Sequence, residues 1–288
     1  MFGFLNLYKP SACTSRDVVN QVQKLVRPEK VGHAGTLDPL ATGVLIVAVG
    51  GATRLVEYVQ QQRKSYRATF LLGRQSDTED SEGQVVEVVD PPLPTANEVS
   101  AALPMFLGEI DQVPPAYSAL KIAGRRAYAL ARQGAEVQFA ARKITIHELT
   151  LLRYDYPTLE LEIACSSGTY VRSLGRDLAR AMGTQAVMSA LVRTSIGPFR
   201  LDDAISPDSL TRENLSHHLL PARAAVAHLP TLPVDHGEVT ELLHGRPLLR
   251  SGSFDSQELA ALDPTGELIA ILEFRAGKLW PNRVFATQ

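Results

Sequence analysis

Apolar positions recur along the chain with two distinct periods, and the periods divide it into elements. Residues 2–8 are almost continuously apolar and read as a strand. Val18, Val19, Val22 and Val26 then follow helical spacing, with Ser15 able to cap the helix and Pro28 at its end. VLIVAV, residues 44–49, is a short buried strand, and a helix is predicted over 53–62. Tyr66, Ala68, Phe70 and Leu72 alternate with Arg67, Thr69 and Leu71, the period of a half-buried strand. Thr95 and Glu98 form a T-x-x-E capping box for a helix reaching to about residue 106. Strands return at 144–153 and 159–165, and Gly168 and Thr169 open a helix that stops at Gly183, a residue type suited to a helix C′ position. HLPTLPV, residues 228–234, is punctuated by proline and reads as a linker. Asp235 and Glu238 open a short helix, and GELIAILEF with its flanking turns predicts a small β-rich module.

Strands and helices mix without a regular βαβ rhythm. The expected class is therefore α+β, with a mixed, mainly antiparallel sheet and flanking helices. The expected division is a catalytic-sized body at 1–225 and a small C-terminal domain at 226–288. A length of 288 residues suits one large domain plus a small one.

Charge is distributed unevenly. The net charge of -2 argues against a protein that coats nucleic acid non-specifically. Residues 77–90 carry six acidic side chains and no basic one, and read as a solvated acidic loop around a QVVEVV strand. Residues 121–143 reverse the sign: Lys121, Arg125, Arg126, Arg132, Arg142 and Lys143 face only Glu136, a candidate surface for a polyanion. Cys13 and Cys165 lie far apart and form no metal-ligand cluster, so no metal is expected. The first residues lack the pattern of a signal peptide, and no stretch approaches the roughly 20 apolar residues of a membrane span. A cytoplasmic protein without membrane contact is the expectation.

The chemistry concentrates in VGHAGTLDPLATGVLIVAVG, residues 31–50. Glycines at 32, 35 and 43 flank His33 and Asp38, and such a loop lets a ligand approach the backbone closely. Asp38 is either a nucleophile or base on a rigid loop, or the first residue of an Asp-Pro turn beside a polar histidine.

This segment resembles the signature of the TruB family of tRNA pseudouridine synthases, G-H-x-G-x-L-D-P-x-A-T-G. Gly32, His33, Gly35, Leu37, Asp38, Pro39, Ala41, Thr42 and Gly43 occupy every fixed position. NLYKP with Thr14 and Ser15, RKSYRATFLLGRQSDTEDSEG, VPPAYSALKIAGRRAYALAR and CSSGTYVRSLGRDL resemble further family segments in the same order. The likeness covers roughly residues 4 to 200. It departs at Ala12, where the family usually has glycine, and the short tail is only loosely similar to the family's RNA-binding PUA-type domain.

The resemblance implies a pseudouridine synthase fold with a PUA-like C-terminal domain, and a basic RNA-contacting insertion at about 113–143. It implies isomerisation of a uridine at position 55, in the T-arm of tRNA, with no cofactor. Asp38 would be the nucleophile and Arg172 its counter-ion. The ring of Tyr66 would stack on the flipped base, or its hydroxyl would act as a base on the sugar. Tyr170 and Leu191 would line the pocket, and His33 would fill the gap left by the flipped nucleotide. Lys9, Lys64, Arg125, Arg126 and Arg132 are the expected further substrate contacts. A monomer without an obligate protein partner is expected.

Three other readings stay open. An RNA-binding or tRNA-folding protein would use the basic run equally well. A nucleosidase would need a second group near Asp38 to activate water, and the sequence offers no obvious carboxylate in a matching motif. A guide-RNA-dependent relative would need partner proteins.

Overall fold

The computed structural model describes residues 1–118, 139–250 and 258–285, with the backbone alone at 121–122 and 125–126. The body is built on β1 (Phe2–Lys9), β2 (Val31–His33), β3 (Thr42–Gly50), β4 (Lys64–Leu72), two short strands β5 (Arg74–Gln75) and β6 (Val86–Glu87), β7 (Gly108–Gln112), a second short pair β8 (Lys121–Ile122) and β9 (Arg125–Arg126), β10 (Arg142–Asp155), β11 (Thr158–Cys165), β12 (Ala186–Ile196) and β13 (Phe199–Arg200). Four more strands follow: β14 (Thr231–Pro233), β15 (Glu258–Leu262), β16 (Leu268–Arg275) and β17 (Lys278–Val284). The helices are α1 (Ser15–Val26), α2 (Val56–Gln61), α3 (Ala96–Ala102), α4 (Val171–Ala181) and α5 (His236–Leu243).

The main sheet runs β1-β3-β12-β4-β11-β10-β7, with β2 added at β3 and β13 at β12. Among the described residues, only the β3–β12 pairing in it is parallel. The mixed, mainly antiparallel sheet expected from the periodicity is therefore the one that forms. The C-terminal strands make a separate four-stranded sheet, β14-β15-β16-β17. No helix of the described residues is long and apolar enough to cross a membrane.

The alternation in each strand sorts its side chains onto two faces. Leu5, Leu7, Leu45, Val47 and Val49 bury the valine face of α1, while Phe4, Val44, Ile46 and Ala48 on the reverse face pack with Tyr58, Ile271 and Phe285. Tyr66, Ala68, Phe70 and Leu72 share a core with Val171, Leu174 and Leu178 of α4. A Cβ on Gly175 would lie 2.0 Å from the Phe70 ring, so glycine is required for α4 to seat this closely on β4. That seating places Arg172 over the sheet.

Four sequence expectations need correction. Thr14, not Ser15, caps α1: its side chain accepts from the Asp17 amide, and Asp17 reaches back to the Thr14 amide. Ser15 is buried and pairs with the Leu37 backbone instead, accepting from its amide at 2.9 Å and facing its carbonyl at 3.2 Å. The helix expected at 53–62 begins as a 3-10 turn, Gly51–Leu55, and becomes α-helical only in α2. Of QVVEVV only Val86 and Glu87 pair as strand. Within the expected linker, Thr231–Pro233 adds to the edge of the second sheet beside β15, a position where proline is tolerated.

Candidate active site

Asp38 stands on the loop that joins β2 to β3, and the surrounding chain fixes that loop from below. The Lys9 ammonium is fully buried and donates to the carbonyls of Pro10 at 2.8 Å, Cys13 at 2.7 Å and Pro39 at 3.1 Å. The Ala12 amide donates to the Pro39 carbonyl at 3.0 Å, and Ser15 holds Leu37. Both neighbours of Asp38 are thus tied to the segment after β1. Ala12 itself has φ 61, the left-handed region that favours glycine, so the departure from the usual glycine is accommodated at a backbone cost of about 1 kcal/mol. Beyond the loop, Gly43 has φ 100, and a Cβ there would lie 2.3 Å from the Arg193 carbonyl. Only glycine lets β3 lie beside β12 at that point.

Arg172, in the first turn of α4, faces Asp38 with its Nε 3.1 Å from Oδ2. Its Nη1 lies 3.3 Å from Asp80 Oδ2 and donates to the Thr78 carbonyl at 2.7 Å, while Nη2 donates to the Tyr117 carbonyl at 3.0 Å. A planar guanidinium held on three sides offers its remaining edge to Asp38 in a fixed orientation. The Arg172 side chain is 7% exposed and that of Asp38 is 35% exposed, so the carboxylate is the open end of the network. Burial pushes the Asp38 carboxyl above the usual aspartate range; Arg172 and Lys9 oppose the rise and Asp80 adds to it.

The acidic stretch is solvated only in part: Asp77, Glu82, Glu87 and Asp90 are exposed, as its composition predicts, but Glu79 and Asp80 turn inward. Asp80 is buried beside Arg172, and Glu79 pairs with Arg176 and accepts from the Ser173 hydroxyl. Met188 of β12 donates to the Glu79 carbonyl and accepts from the Ser81 amide, which fastens the loop to the sheet. Two arginines of α4 draw these carboxylates in. A second carboxylate does stand near Asp38, contrary to the sequence reading, but Asp80 is occupied by Arg172, the Thr78 hydroxyl and the Glu82 amide.

Tyr66, on β4, sits directly opposite Arg193 on β12, and Leu191 opposite Ala68. Tyr66 and Leu191 are 6% and 7% exposed, and both belong to the core that includes Leu37. Burial pushes the Tyr66 phenol up, while the hydrogen-bonded Arg193 guanidinium acts in the opposite direction. Tyr170 ends the approach to α4. The buried Gln112 side chain clamps the Tyr170 backbone, accepting from its amide at 2.8 Å and donating to its carbonyl at 3.0 Å. The Arg142 guanidinium lies over the Tyr170 ring, 4.6 Å from its centroid. His33 is half-buried, and burial with the nearby charges of Arg16 and Arg193 holds it below the ordinary histidine range. These effects favour the neutral form of the ring.

Residues 23–171 match the family described as TruB family pseudouridylate synthase (N terminal domain), and residues 229–286 match tRNA Pseudouridine synthase II, C terminal. The chain is 42% identical over 280 residues to tRNA pseudouridine synthase B of Syntrophomonas wolfei, covering 95% of this chain and 93% of the relative. It is 42% identical to the protein of the same name from Dinoroseobacter shibae, covering 98% and 95%. The chain belongs to the TruB family of pseudouridine synthases. Among solved structures, a chain of an H/ACA ribonucleoprotein bound to a substrate RNA containing 2′-deoxyuridine superposes with a TM-score of 0.75 at 25% identity, covering 99% of this chain and 86% of that one. A chain of a Cbf5–Nop10–Gar1 complex gives 0.75 at 26% identity, covering 99% and 85%.

For a TruB-family chain, the geometry brings Asp38, Arg172, Tyr66 and Leu191 to one end of the β4–β12 pair, with Tyr170 at the adjoining start of α4. Two residues expected to touch substrate are otherwise engaged. Lys9 spends its three N–H groups on carbonyls beneath the loop. Lys64 is buried, with its amine on the carbonyls of Gln60 at 2.6 Å and Gln62 at 2.8 Å. Burial lowers the Lys64 amine to about 8. Both lysines serve the architecture of the site because each side chain is enclosed by its own carbonyl acceptors. Arg132 lies outside the described residues, as do the side chains of Arg125 and Arg126. Asp80, Gln112 and Arg193 were not foreseen. Only the opposed alternation of β4 and β12 carried a signal for Arg193, since it puts a charge in phase with apolar neighbours. Among the described residues, no group of three or more His, Cys, Asp or Glu side chains is placed to hold a metal ion.

Proposed function

We propose that this protein isomerises a uridine at position 55, in the T-arm of tRNA, to pseudouridine, with Asp38 as nucleophile. The observation that carries the reading is the Asp38–Arg172 pair, in which an enclosed arginine presents one carboxylate to the open side of the site. The conversion breaks the N1–C1′ bond, forms a C5–C1′ bond, removes a proton from C5 and places one on N1. A carboxylate held by a guanidinium stays ionised despite burial and can attack the sugar as uracil departs. Leu191 and the ring of Tyr66 offer apolar walls that retain the detached base while it turns, and the ionised Tyr66 oxygen serves as the proton acceptor. The target nucleotide must leave its stack at a cost of a few kcal/mol, and a neutral His33 ring suits the vacated space. The basic run at 121–143 would position the phosphates.

The relatives named tRNA pseudouridine synthase B support tRNA as the substrate. The reading takes the chain to act as a monomer without guide RNA or protein partner, and in the cytoplasm. The test is to incubate the protein with an unmodified tRNA transcript and with an isolated T-arm hairpin, and to map pseudouridine in both. Conversion of one T-arm uridine in each is expected. Release of free uracil would make the protein a hydrolase, and faster RNA annealing without conversion would make it a folding factor.

A further inference from the structure

Among the described residues Arg193 is the most enclosed arginine, a side chain that carries its charge by necessity. It is 1% exposed, and a guanidinium remains protonated even when buried. Its Nε donates to the Val44 carbonyl at 2.7 Å and its Nη2 to the Gly35 carbonyl at 3.1 Å. Among the described residues no carboxylate pairs with it, whereas Arg172 has two. A buried cation whose fixed partners are neutral carbonyls is poorly compensated. The acidic group directly opposite is the Tyr66 hydroxyl, across the β4–β12 pair. The register shifts between Arg193 and Ser195, an irregularity of the kind that re-aims a side chain at a site.

We infer that Arg193 is a positioning residue for the reaction: its guanidinium holds the Tyr66 oxygen and compensates the phenolate that receives a proton from the substrate. The inference rests on the proposed isomerisation. A guanidinium can only donate, so the phenolic oxygen accepts from it and keeps its remaining side for the substrate. In the product the ribose carries the hydrogens it began with, and uracil has lost its C5 hydrogen. The one proton that must be moved in the net reaction is that of C5. The N1–C1′ bond breaks, C5 bonds to C1′, the C5–H electron pair returns to the ring as the proton passes to the phenolate, and the phenol then gives a proton to N1. The phenolate is regenerated and no outside reactant is needed.

The charged and titratable groups around the pair fit this role. Arg193 of β12, Cys165 of β11 and Asp38 of the loop act on Tyr66. The Arg193 charge in turn reaches Lys9, His33 and Lys64. Arg193 is the cation that acts on Tyr66, and its buried charge has no carboxylate partner among the described residues. A negative oxygen is the missing partner.

Ultraviolet titration of tyrosinate tests this directly. The difference between wild type and Tyr66→Phe isolates Tyr66, and the same difference is measured with Arg193→Gln in both chains. Loss of the cation is expected to move Tyr66 ionisation up by about 1–3 pH units, and Arg193→Lys to move it much less. The ascending limb of the single-turnover rate against pH is expected to move up with it, lowering the rate about tenfold per unit at any pH below the Tyr66 ionisation. Arg193→Met, which matches the volume without the charge, replaces the glutamine variant if that fails to fold. Tyr66 ionising at the same pH with and without Arg193 would overturn the inference while leaving the isomerase reading intact. Tyr66→Phe turning over at the wild-type rate would overturn the role of Tyr66 as proton acceptor, and this inference with it. Absence of product from wild type itself would defeat the proposed function instead.

Discussion

Lys9→Met separates two roles that a lysine near an RNA site can play. In the structure the ammonium is enclosed and holds three carbonyls around the Asp38 loop. Removing one partner of a buried, hydrogen-bonded charge costs about 3–5 kcal/mol in general. Here the Pro39 carbonyl keeps the Ala12 amide and the Pro10 carbonyl keeps the Cys13 thiol, so only the Cys13 carbonyl loses its one partner. The expected loss is therefore nearer the low end, about 2–4 kcal/mol. A domain of ordinary stability survives this but loosens locally. Because Pro39 follows Asp38 in the chain, a displacement of about 1 Å at the carboxylate is expected to slow the chemical step by about 100-fold. Urea unfolding followed by circular dichroism gives the stability. Single-turnover kinetics on a T-arm RNA give the rate, and binding isotherms at several salt concentrations give the affinity and its slope. The loop-anchor role predicts lower stability, a lower rate and unchanged binding. Unchanged stability with weaker binding and a salt slope reduced by about one would refute it and return Lys9 to the RNA surface.

Lys64 carries a pH prediction. Its folded value of about 8 lies below the ordinary 10.5, so the unfolded chain binds more protons between them, and stability contributed by this residue rises with pH across that window. Relative to Lys64→Met, wild type should gain on the order of 3 kcal/mol between pH 8 and pH 10.5, at about 1.4 kcal/mol per unit, and a flat difference would show the amine to be unperturbed. Gly43→Ala should destabilise by about 3 kcal/mol or more, because the methyl meets the Arg193 backbone at a positive φ; a melting temperature within a degree or so of wild type would contradict the register seen here. Replacing Arg125, Arg126 and Arg132 together with alanine should weaken T-arm binding and flatten its salt dependence while the rate at saturating RNA changes much less. An unchanged slope and affinity would place the RNA surface elsewhere.

Much of this protein was legible in the order of its residues because local rules and tertiary packing agree. The valines of α1 and the alternation of β4 each specify both an element and the face it buries. The Asp38 motif and Arg172 were legible through resemblance, and the fold brings them to 3.1 Å. What was not legible is what the tertiary charge pattern reverses. Residues 77–82 look solvated because they are acidic, but two arginines a long way along the chain draw Asp80 and Glu79 inward. Lys9 and Lys64 look like phosphate contacts because they are cationic, but carbonyls of neighbouring turns enclose them. Ser15 looks like a cap by composition, yet Thr14 takes the cap and frees Ser15 to hold Leu37. In each case the fold decides what the side chain meets, whether the partner is distant, as Asp80 is from Arg172, or within four residues, as Gln60 is from Lys64.

The account rests on Asp38 as the reacting carboxylate, and Asp38→Asn tests it most directly. The amide keeps the size of the side chain and an oxygen facing Arg172 Nε, so the loop and the RNA surface should persist. Only the nucleophilic charge is removed. The measurement is pseudouridine formation on a T-arm RNA under single-turnover conditions, with the affinity of the same preparation determined alongside. The account predicts no product over a period in which wild type completes the reaction, with a Kd within about twofold of wild type. Turnover by Asp38→Asn near the wild-type rate would contradict it.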